Sequence, residues 1–216
     1  MRPYVFLAGA ALGVVGLELA IGQISDWRAS DDSRLLSALK QTFERVTDAG
    51  PLATEGLIST DGHAFGPERL RGRWTLVYLG YSACGDVCPT TLQVLSAVAK
   101  DPESGVATGK TALAFVSVDA QQDTAERMRR YLANFDEHIV GLTGARAAIE
   151  RFSSDIGAAF QAGGGRIDHS TSLFVVNPDG RVVGTLLRPA DPQQIIVDLH
   201  VLQGFDVTSA RPAPPL

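Results

Sequence analysis

Two short runs of almost uninterrupted apolar residues constrain the fold of this 216-residue chain more than any other feature. They cover residues 74–79 and 112–118, and neither alternates between apolar and polar residues as a strand with one face in water does. Residues 89–100, between them, have helical character, with Pro89 in a first turn where its missing N–H costs nothing. Two buried strands joined by a helix predict neighbouring parallel strands in an α/β domain.

Further patterns extend this domain in both directions. Asp61-Gly62 and Asn177-Pro-Asp-Gly180 are strong turn signals and predict two hairpins. Residues 123–126 resemble a capping box that opens a helix with one apolar face, formed by Met128, Tyr131, Leu132 and Phe135. A strand is predicted at residues 139–142, and helices at 145–154 and 192–203. This order predicts a thioredoxin-like α/β fold over residues 51–204, with a central mixed sheet flanked by helices.

The N-terminal segment has a different character. Residues 4–22 contain a single charge, Glu18, and are long enough to cross a bilayer core of about 30 Å. They predict a signal anchor or transmembrane helix over residues 1–23, although Ala20-Ile21-Gly22 also resembles a cleavage site. The charges on its two sides predict a bacterial-type inner-membrane protein whose C-terminal domain lies on the periplasmic side.

Two segments flank the predicted domain. Residues 24–50 are polar with helical periodicity and look like a stalk or packing helix, which Gly50-Pro51 ends. Residues 205–216 are rich in proline and predict a disordered tail. The net charge of −5, with no basic patch, argues against nucleic acid as a partner.

The only two cysteines lie at the junction between the first buried strand and the following helix. Cys84 and Cys88 have three residues between them, whereas thioredoxin-type redox sites have two. If the segment is helical, both sulfurs share one face, and the positive end of the helix near Cys88 favours its thiolate. Such a pair can exchange electrons, attack an electrophile or hold a soft metal. In an exported protein a structural disulfide is a further alternative, but so short a loop would gain little from it.

A copper site would need a third ligand, and the chain contains four histidines. His63, His138 and His200 are interpreted as loop, helix-end and helix residues without a role in the site. His169 differs because it follows the glycine-rich run 163–165 and enters the strand that should neighbour the cysteine strand. We expect the glycine-rich segment before His169 to be a mobile loop. The basic run at residues 127–130 is interpreted as a solvated helix face.

At the cysteines the chain resembles the SCO/SenC family of membrane-tethered copper proteins, which help to assemble the CuA site of cytochrome c oxidase. The matching segment is Cys84-Gly-Asp86-Val-Cys88-Pro-Thr-Thr-Leu, and further matches in family order cover about residues 55–203, including Ser117-Val-Asp119 and Asp168-His169-Ser170. The resemblance implies copper, as Cu(I), Cu(II) or both, bound by Cys84, Cys88 and His169. It also implies roles for Asp86 and Asp168 around the metal or at a partner. The implied partner is the apo CuA subunit of cytochrome c oxidase or another copper-accepting protein.

The sequence departs from the family pattern at Gly85 and Ala120, where proline is usual. Gly85 should loosen the metal loop, because it lacks proline's fixed φ. Two functions remain open: a metallochaperone that delivers copper, and a thiol–disulfide oxidoreductase that draws on thiol reductants to reduce the cysteines of a copper-accepting partner. A peroxidase is disfavoured, because the proline and threonine expected before a peroxidatic cysteine are absent.

Overall fold

A computed structural model describes residue 39 and residues 43–46, 50–158, 160–163, 166–187 and 189–204, with the backbone alone for 161–163 and 166–169. The chain divides into two units, Met1–Lys40 and Gln41–Leu216, and the second contains every helix and strand of the described residues. The predicted anchor at 1–23 and the predicted tail at 205–216 lie outside the described residues. Within the described part of the chain, no helix has the length and apolarity that a membrane span requires.

The described residues of the second unit form nine strands and four α-helices. The strands are β1 Phe43–Arg45, β2 Leu57–Ser59, β3 Trp74–Gly80, β4 Thr111–Ser117, β5 Ile139–Gly144, β6 Phe160–Gly163, β7 Arg166–His169, β8 Leu173–Val176 and β9 Val182–Leu186. The helices are α1 Val87–Lys100, α2 Ala125–Leu132, α3 Arg146–Asp155 and α4 Pro192–Gly204. Short 3-10 helices cover Pro67–Leu70 and Pro102–Ser104.

Seven strands form one mixed sheet in the order β1-β9-β8-β3-β4-β5-β2. The central strands β3, β4 and β5 are parallel, and β3 pairs with β4 over its whole length, from Trp74 opposite Thr111 to Gly80 opposite Ser117. The outer strands run antiparallel to their neighbours. Every residue of β3 is buried, as its uninterrupted apolar sequence predicts. The predicted mixed sheet flanked by helices is therefore confirmed.

Helices cover both faces of the sheet. On one face, Phe152 of α3 packs in a cluster with Val77 and Leu79 of β3. On the other face, α2 lies so close to the sheet that a Cβ on Gly141 would be 2.8 Å from Leu132. The cysteines belong to this second face, and the helices that cover it set their surroundings.

Both predicted hairpins are present. Gly62 and Gly180 adopt φ values of 86° and 78°, the left-handed conformation that glycine adopts without strain. Asn177 Oδ1 accepts hydrogen bonds from the backbone N–H groups of Asp179 at 3.2 Å and Arg181 at 2.9 Å, which closes the turn between β8 and β9. The polar residues of the turn thus fix the register of the strands that they join.

Four local predictions are wrong. Residues 43–45 form strand β1, paired with β9, instead of the end of a stalk helix. The segment before His169 forms the hairpin β6-β7 instead of an irregular loop. The helix α2 is capped by Thr124, whose side chain accepts the N–H of Arg127, and not by Asp123. It ends at Leu132, so Phe135 lies beyond the helix on which it was predicted.

Candidate metal centre

Cys84 and Cys88 lie where the sheet, a loop and a helix meet. Strand β3 ends at Gly80, residues 81–86 form the loop, and α1 begins at Val87. Cys84 is therefore a loop residue and Cys88 the second residue of the helix, so the two cysteines do not share one helical turn. The two side chains are nevertheless hydrogen-bonded to each other, and neither sulfur is in a disulfide.

Cys88 is fully buried against the sheet. Its neighbours include Tyr78 and Phe115. A Cβ on Gly80 would lie 3.0 Å from Cys88 Sγ and 2.6 Å from the Phe115 ring. Because real Cβ atoms almost never approach so closely, the sulfur can sit against the strand only where residue 80 is glycine.

The surroundings of Cys88 favour the neutral thiol. Burial raises the pKa of Cys88 to about 12, and its hydrogen bond to Cys84 and the negative charge on Cys84 act in the same direction. The backbone N–H of Tyr81 donates to the sulfur, and the nearby hydroxyl of Tyr78 acts in the same direction; both oppose this shift without overcoming it. Cys88 is therefore the proton donor of the pair.

The surroundings of Cys84 favour the thiolate. Burial raises its pKa, but hydrogen bonds from the Asp86 N–H, the Cys88 thiol and the N–H groups of Cys88 and Val87 outweigh burial, so the pKa lies below the ordinary value. These N–H groups belong to the start of α1, where the helix presents unpaired donors. The prediction that the helix end would ionise Cys88 is therefore wrong, because the donors point to Cys84.

Two tyrosines extend the polar environment behind the sulfurs. Burial raises the pKa of both Tyr78 and Tyr131, and negative charge on the cysteines raises each further. Tyr131 is stacked edge-on against Phe135 at 5.4 Å between ring centres and lies 6.1 Å from the Phe115 ring. Sequence reasoning placed Tyr131 only on an apolar helix face; its proximity to the cysteines follows from how α2 crosses the sheet.

The Cys84 loop is tied to the sheet by a residue that sequence reasoning assigned to a helix cap. Asp123 is buried, and its carboxylate accepts hydrogen bonds from Ser82, two residues before Cys84. Arg127, predicted to lie on a solvated helix face, donates through Nε to Ser82 Oγ at 2.9 Å. The signal for these contacts in the sequence is weak, because they join residues 41 and 45 positions apart.

The structure describes the backbone of His169, the predicted third ligand, but not its side chain. His169 ends β7 and is in register with Phe160 of β6, and Asp168 precedes it on the same strand. Among the side chains that the structure describes, no group of three His, Cys, Asp or Glu residues could hold a metal. The completion of the Cys84–Cys88 pair by His169 stays a prediction.

The other residues singled out in the sequence lie on exposed surface. Asp86 precedes the first residue of α1 and is exposed, without a side-chain hydrogen bond to the helix end. His63 is in the turn after β2, and His138 Nδ1 lies 2.8 Å from Asp136 Oδ1. His200 Nε2 lies 2.7 Å from the carbonyl oxygen of Glu103. These contacts give His138 and His200 local partners, in keeping with their interpretation as residues outside the site.

Sequence comparison identifies relatives of the whole folded unit. The family model described as SCO1/SenC matches residues 55–203. The human mitochondrial SCO2 homolog is 30% identical over 145 residues, which cover 64% of this chain and 54% of that protein. A protein of Stutzerimonas stutzeri, named for copper binding, is 29% identical over 138 residues, or 62% of this chain and 67% of that one. The chain thus spans about half the length of the mammalian relatives that it matches.

Comparison with solved structures identifies the same fold. The structure of Bradyrhizobium japonicum ScoI with copper bound is 30% identical and covers 74% of this chain and 100% of that one, with a TM-score of 0.60. The copper-bound Arabidopsis thaliana ScoI matches with a TM-score of 0.65 at 23% identity, over 74% of this chain and 100% of that one. The second likeness concerns the fold alone.

Proposed function

Because this chain belongs to the SCO1/SenC family, we propose that it is a membrane-anchored copper metallochaperone. It binds copper through Cys84, Cys88 and His169 and delivers the metal to the CuA site of cytochrome c oxidase during assembly. Residues 1–23 anchor it in a bacterial-type inner membrane, with the folded domain on the periplasmic side. The apo CuA subunit, or another copper-accepting protein, is the recipient.

The observation that carries this proposal is the contact between two thiols of unequal acidity. Cys84 is half-buried and has a pKa below the ordinary value, while Cys88 is fully buried beside it. Thiolate sulfur is a preferred ligand of Cu(I), and a ligand that reaches the surface lets the metal pass to an incoming protein by ligand exchange. Support also comes from ScoI of Bradyrhizobium japonicum, which is 30% identical and binds copper in its solved structure.

His169 fits the third position by its place in the chain. It ends β7, with three residues between it and the start of β8, and β8 pairs directly with the cysteine strand β3. A neutral imidazole is a common ligand of copper, and a site of two sulfurs and one nitrogen closes a trigonal shell. Two acidic residues are next to the proposed ligands in the chain, the exposed Asp86 and the strand residue Asp168. They would either support the metal-binding loop or contact the partner protein.

Copper titration of the reduced full-length protein tests the ligand set. We expect one Cu(I) per chain, with X-ray absorption showing two sulfurs and at least one nitrogen. His169→Ala should weaken binding by more than about 100-fold, because outer-shell changes alone cost about 10- to 100-fold. The matched control is His63→Ala, which removes an exposed imidazole from the β2 turn. Equal copper affinity in the His169 and His63 variants would contradict the proposed site.

The unequal thiols also favour a second function, reduction of a partner's disulfide. The Cys84 thiolate would attack one sulfur of that disulfide, form a mixed disulfide with it and release the other sulfur as a thiolate. Cys88 would then attack the Cys84 sulfur of the mixed disulfide and release the partner's second sulfur as a thiol. After the reaction, this protein contains a Cys84–Cys88 disulfide and the partner contains two thiols. Cys88→Ser should accumulate the mixed disulfide with a disulfide-bonded peptide of the recipient's copper site, and Cys84→Ser should not. Failure of the Cys88 variant to form this adduct would exclude the reductase.

A further inference from the structure

The loop that carries Cys84 is held by one buried carboxylate. Asp123 is 1% exposed, and its Oδ2 accepts the backbone N–H of Ser82 at 2.8 Å. Its Oδ1 accepts the hydroxyl of the same serine. Ser82 therefore makes two bonds to a single side chain, which fixes both its backbone and its rotamer. Cys84 follows two residues later, and its own N–H donates to the carbonyl of Tyr81 at 3.1 Å.

The carboxylate is itself held by the sheet. Ser117, the last residue of β4, donates its hydroxyl to Asp123 Oδ2 at 2.6 Å. Thr143 of β5 donates its hydroxyl to the backbone carbonyl of Asp123, also at 2.6 Å, and the Asp123 N–H donates to Asp119 at 2.9 Å. Asp123 thus joins two central strands to the Cys84 loop. Hydrogen bonds to an ionised group are stronger than neutral ones, so this link is stiff.

Arg127 closes the arrangement from the solvent side. Its Nε lies 2.9 Å from Ser82 Oγ and 3.6 Å from Asp123 Oδ1, and the side chain is 44% exposed. A buried carboxylate without a cation is costly, and Arg127, one helical turn away, supplies the compensating charge. The four residues Ser82, Ser117, Asp123 and Arg127 are called the loop anchor below.

We propose that Asp123 is a positioning residue that acts through Ser82 and holds Cys84 at the separation from Cys88 at which the pair binds copper. This inference rests on the proposed function. The contacts are needed because Gly85, next to Cys84, is exposed and has no atom within 4 Å of where its Cβ would be. A loop with a glycine beside the ligand and no packing there has to be fixed from its other side. Ligand geometry in a metal site must be held to within about 0.5 Å, which a free loop does not provide.

A matched pair of substitutions separates this role from general stability. Ser82→Ala removes a hydroxyl that joins Asp123 to the Cys84 loop. Ser117→Ala removes a hydroxyl that joins the same carboxylate to the sheet. Both delete one hydroxyl bonded to Asp123, so both should lower the thermal stability of the reduced protein to a similar extent. Only Ser82→Ala should affect copper: we expect its Cu(I) dissociation constant to rise by about 10- to 100-fold, and that of Ser117→Ala by less than about twofold.

A second measurement needs no metal. The full-length protein is equilibrated with glutathione and glutathione disulfide; Cys84 and Cys88 give two protons and two electrons to one glutathione disulfide, which becomes two glutathione molecules. Loss of the Ser82 hydroxyl should lower the equilibrium constant for the Cys84–Cys88 disulfide by about tenfold in Ser82→Ala, because the two thiols are less well oriented. Ser117→Ala should leave it unchanged.

The two measurements have distinct outcomes. Wild-type protein that takes up no copper overturns the proposed function, and the glutathione equilibrium then tests the loop anchor alone. Copper binding in the wild type with the same affinity in both serine variants overturns the positioning role, and so do equal disulfide equilibria. Asp123→Asn should follow Ser82→Ala in both measurements, since a single amide oxygen cannot accept all the hydrogen bonds that the carboxylate accepts.

Discussion

Cys84 and Cys88 are four positions apart, yet their surroundings drive their acidities in opposite directions. Backbone N–H groups at the start of α1 converge on Cys84, whereas Cys88 lies against the sheet without water. The helix end acts on the residue that precedes it in the chain, as for any anion held at a helix N-terminus. The sequence predicts a thiolate here, but which sulfur carries the charge depends on where the first turn begins.

The reactivity of the two thiols with iodoacetamide should therefore differ in its pH dependence. A lowered pKa means that Cys84 is ionised at a lower pH than an ordinary thiol, so its alkylation should reach half its maximal rate at a lower pH than that of an ordinary thiol does. Cys88, with a pKa raised to about 12, should stay unmodified up to about pH 10. Mass spectrometry of the reduced, metal-free protein after timed alkylation measures both rates. A Cys88 rate that matches that of Cys84 at pH 8 would contradict this assignment.

Gly85 is the residue at which this chain differs most clearly from its family pattern at the site. Its φ is outside the left-handed region and its surroundings are open, so alanine fits without strain. Gly85→Ala should raise the free energy of unfolding by about 0.4–1 kcal/mol, because it restricts the unfolded chain. Copper affinity should rise as well, since less loop freedom is lost on binding. Denaturant unfolding of the metal-free protein and Cu(I) competition titration measure the two effects; a lower stability would show that the loop needs glycine.

At the level of elements, the strands and helices that the sequence identified correctly are those with an unambiguous period. The two uninterrupted apolar runs became β3 and β4, and the helix predicted at residues 192–203 became α4, which buries Ile195, Ile196 and Leu199. Strand β1 was missed because Phe43 and Val46 are spaced like neighbouring turns of a helix. A run of three residues does not reveal a period of two, and pairing with β9 decides its conformation.

Strand β1 depends on the absence of a side chain at residue 184. Gly184 of β9 is opposite Arg45, and a Cβ there would collide with the Phe43 ring and with the carbonyl of Glu44. Gly184→Ala should therefore displace β1 and lower the free energy of unfolding by about 1–3 kcal/mol. Hydrogen exchange should show faster exchange at the Val46 amide, which donates to Val183 in the structure. Gly85→Ala is the control, because the same substitution there meets open space. Unchanged exchange at β1 would show that the strand tolerates a side chain at this position.

For the whole molecule, the alternation of strands and helices was sufficient to predict the architecture, and the motif at residues 84–92 was sufficient to identify the family. The loop anchor could not be predicted, because Asp123 meets Ser82 only after β3, β4 and α1 have packed. Local patterns report the period of an element and the chemistry of a motif. Contacts between residues 41 positions apart depend on the three-dimensional arrangement. In the sequence, an aspartate next to a capping threonine is interpreted as part of the helix cap, and nothing indicates that it is buried.

The N-terminal boundary of the folded domain follows from this arrangement and differs from the predicted one. The prediction began the domain at residue 51, whereas β1 already starts at Phe43 and covers the edge of β9.

A fragment of residues 41–204 should therefore unfold in one transition as a monomer. A fragment of residues 51–204 should lose at least about 1 kcal/mol, because the half-buried Phe43 is removed, which lowers the melting temperature by about 2–4 °C. It should also associate through the uncovered β9 edge, since an open strand presents unpaired N–H and C=O groups. Calorimetry and sedimentation velocity on both fragments measure these differences. Both should bind copper with the same stoichiometry, because β3 and α1 are intact, and equal stability with no association would place the boundary back at residue 51.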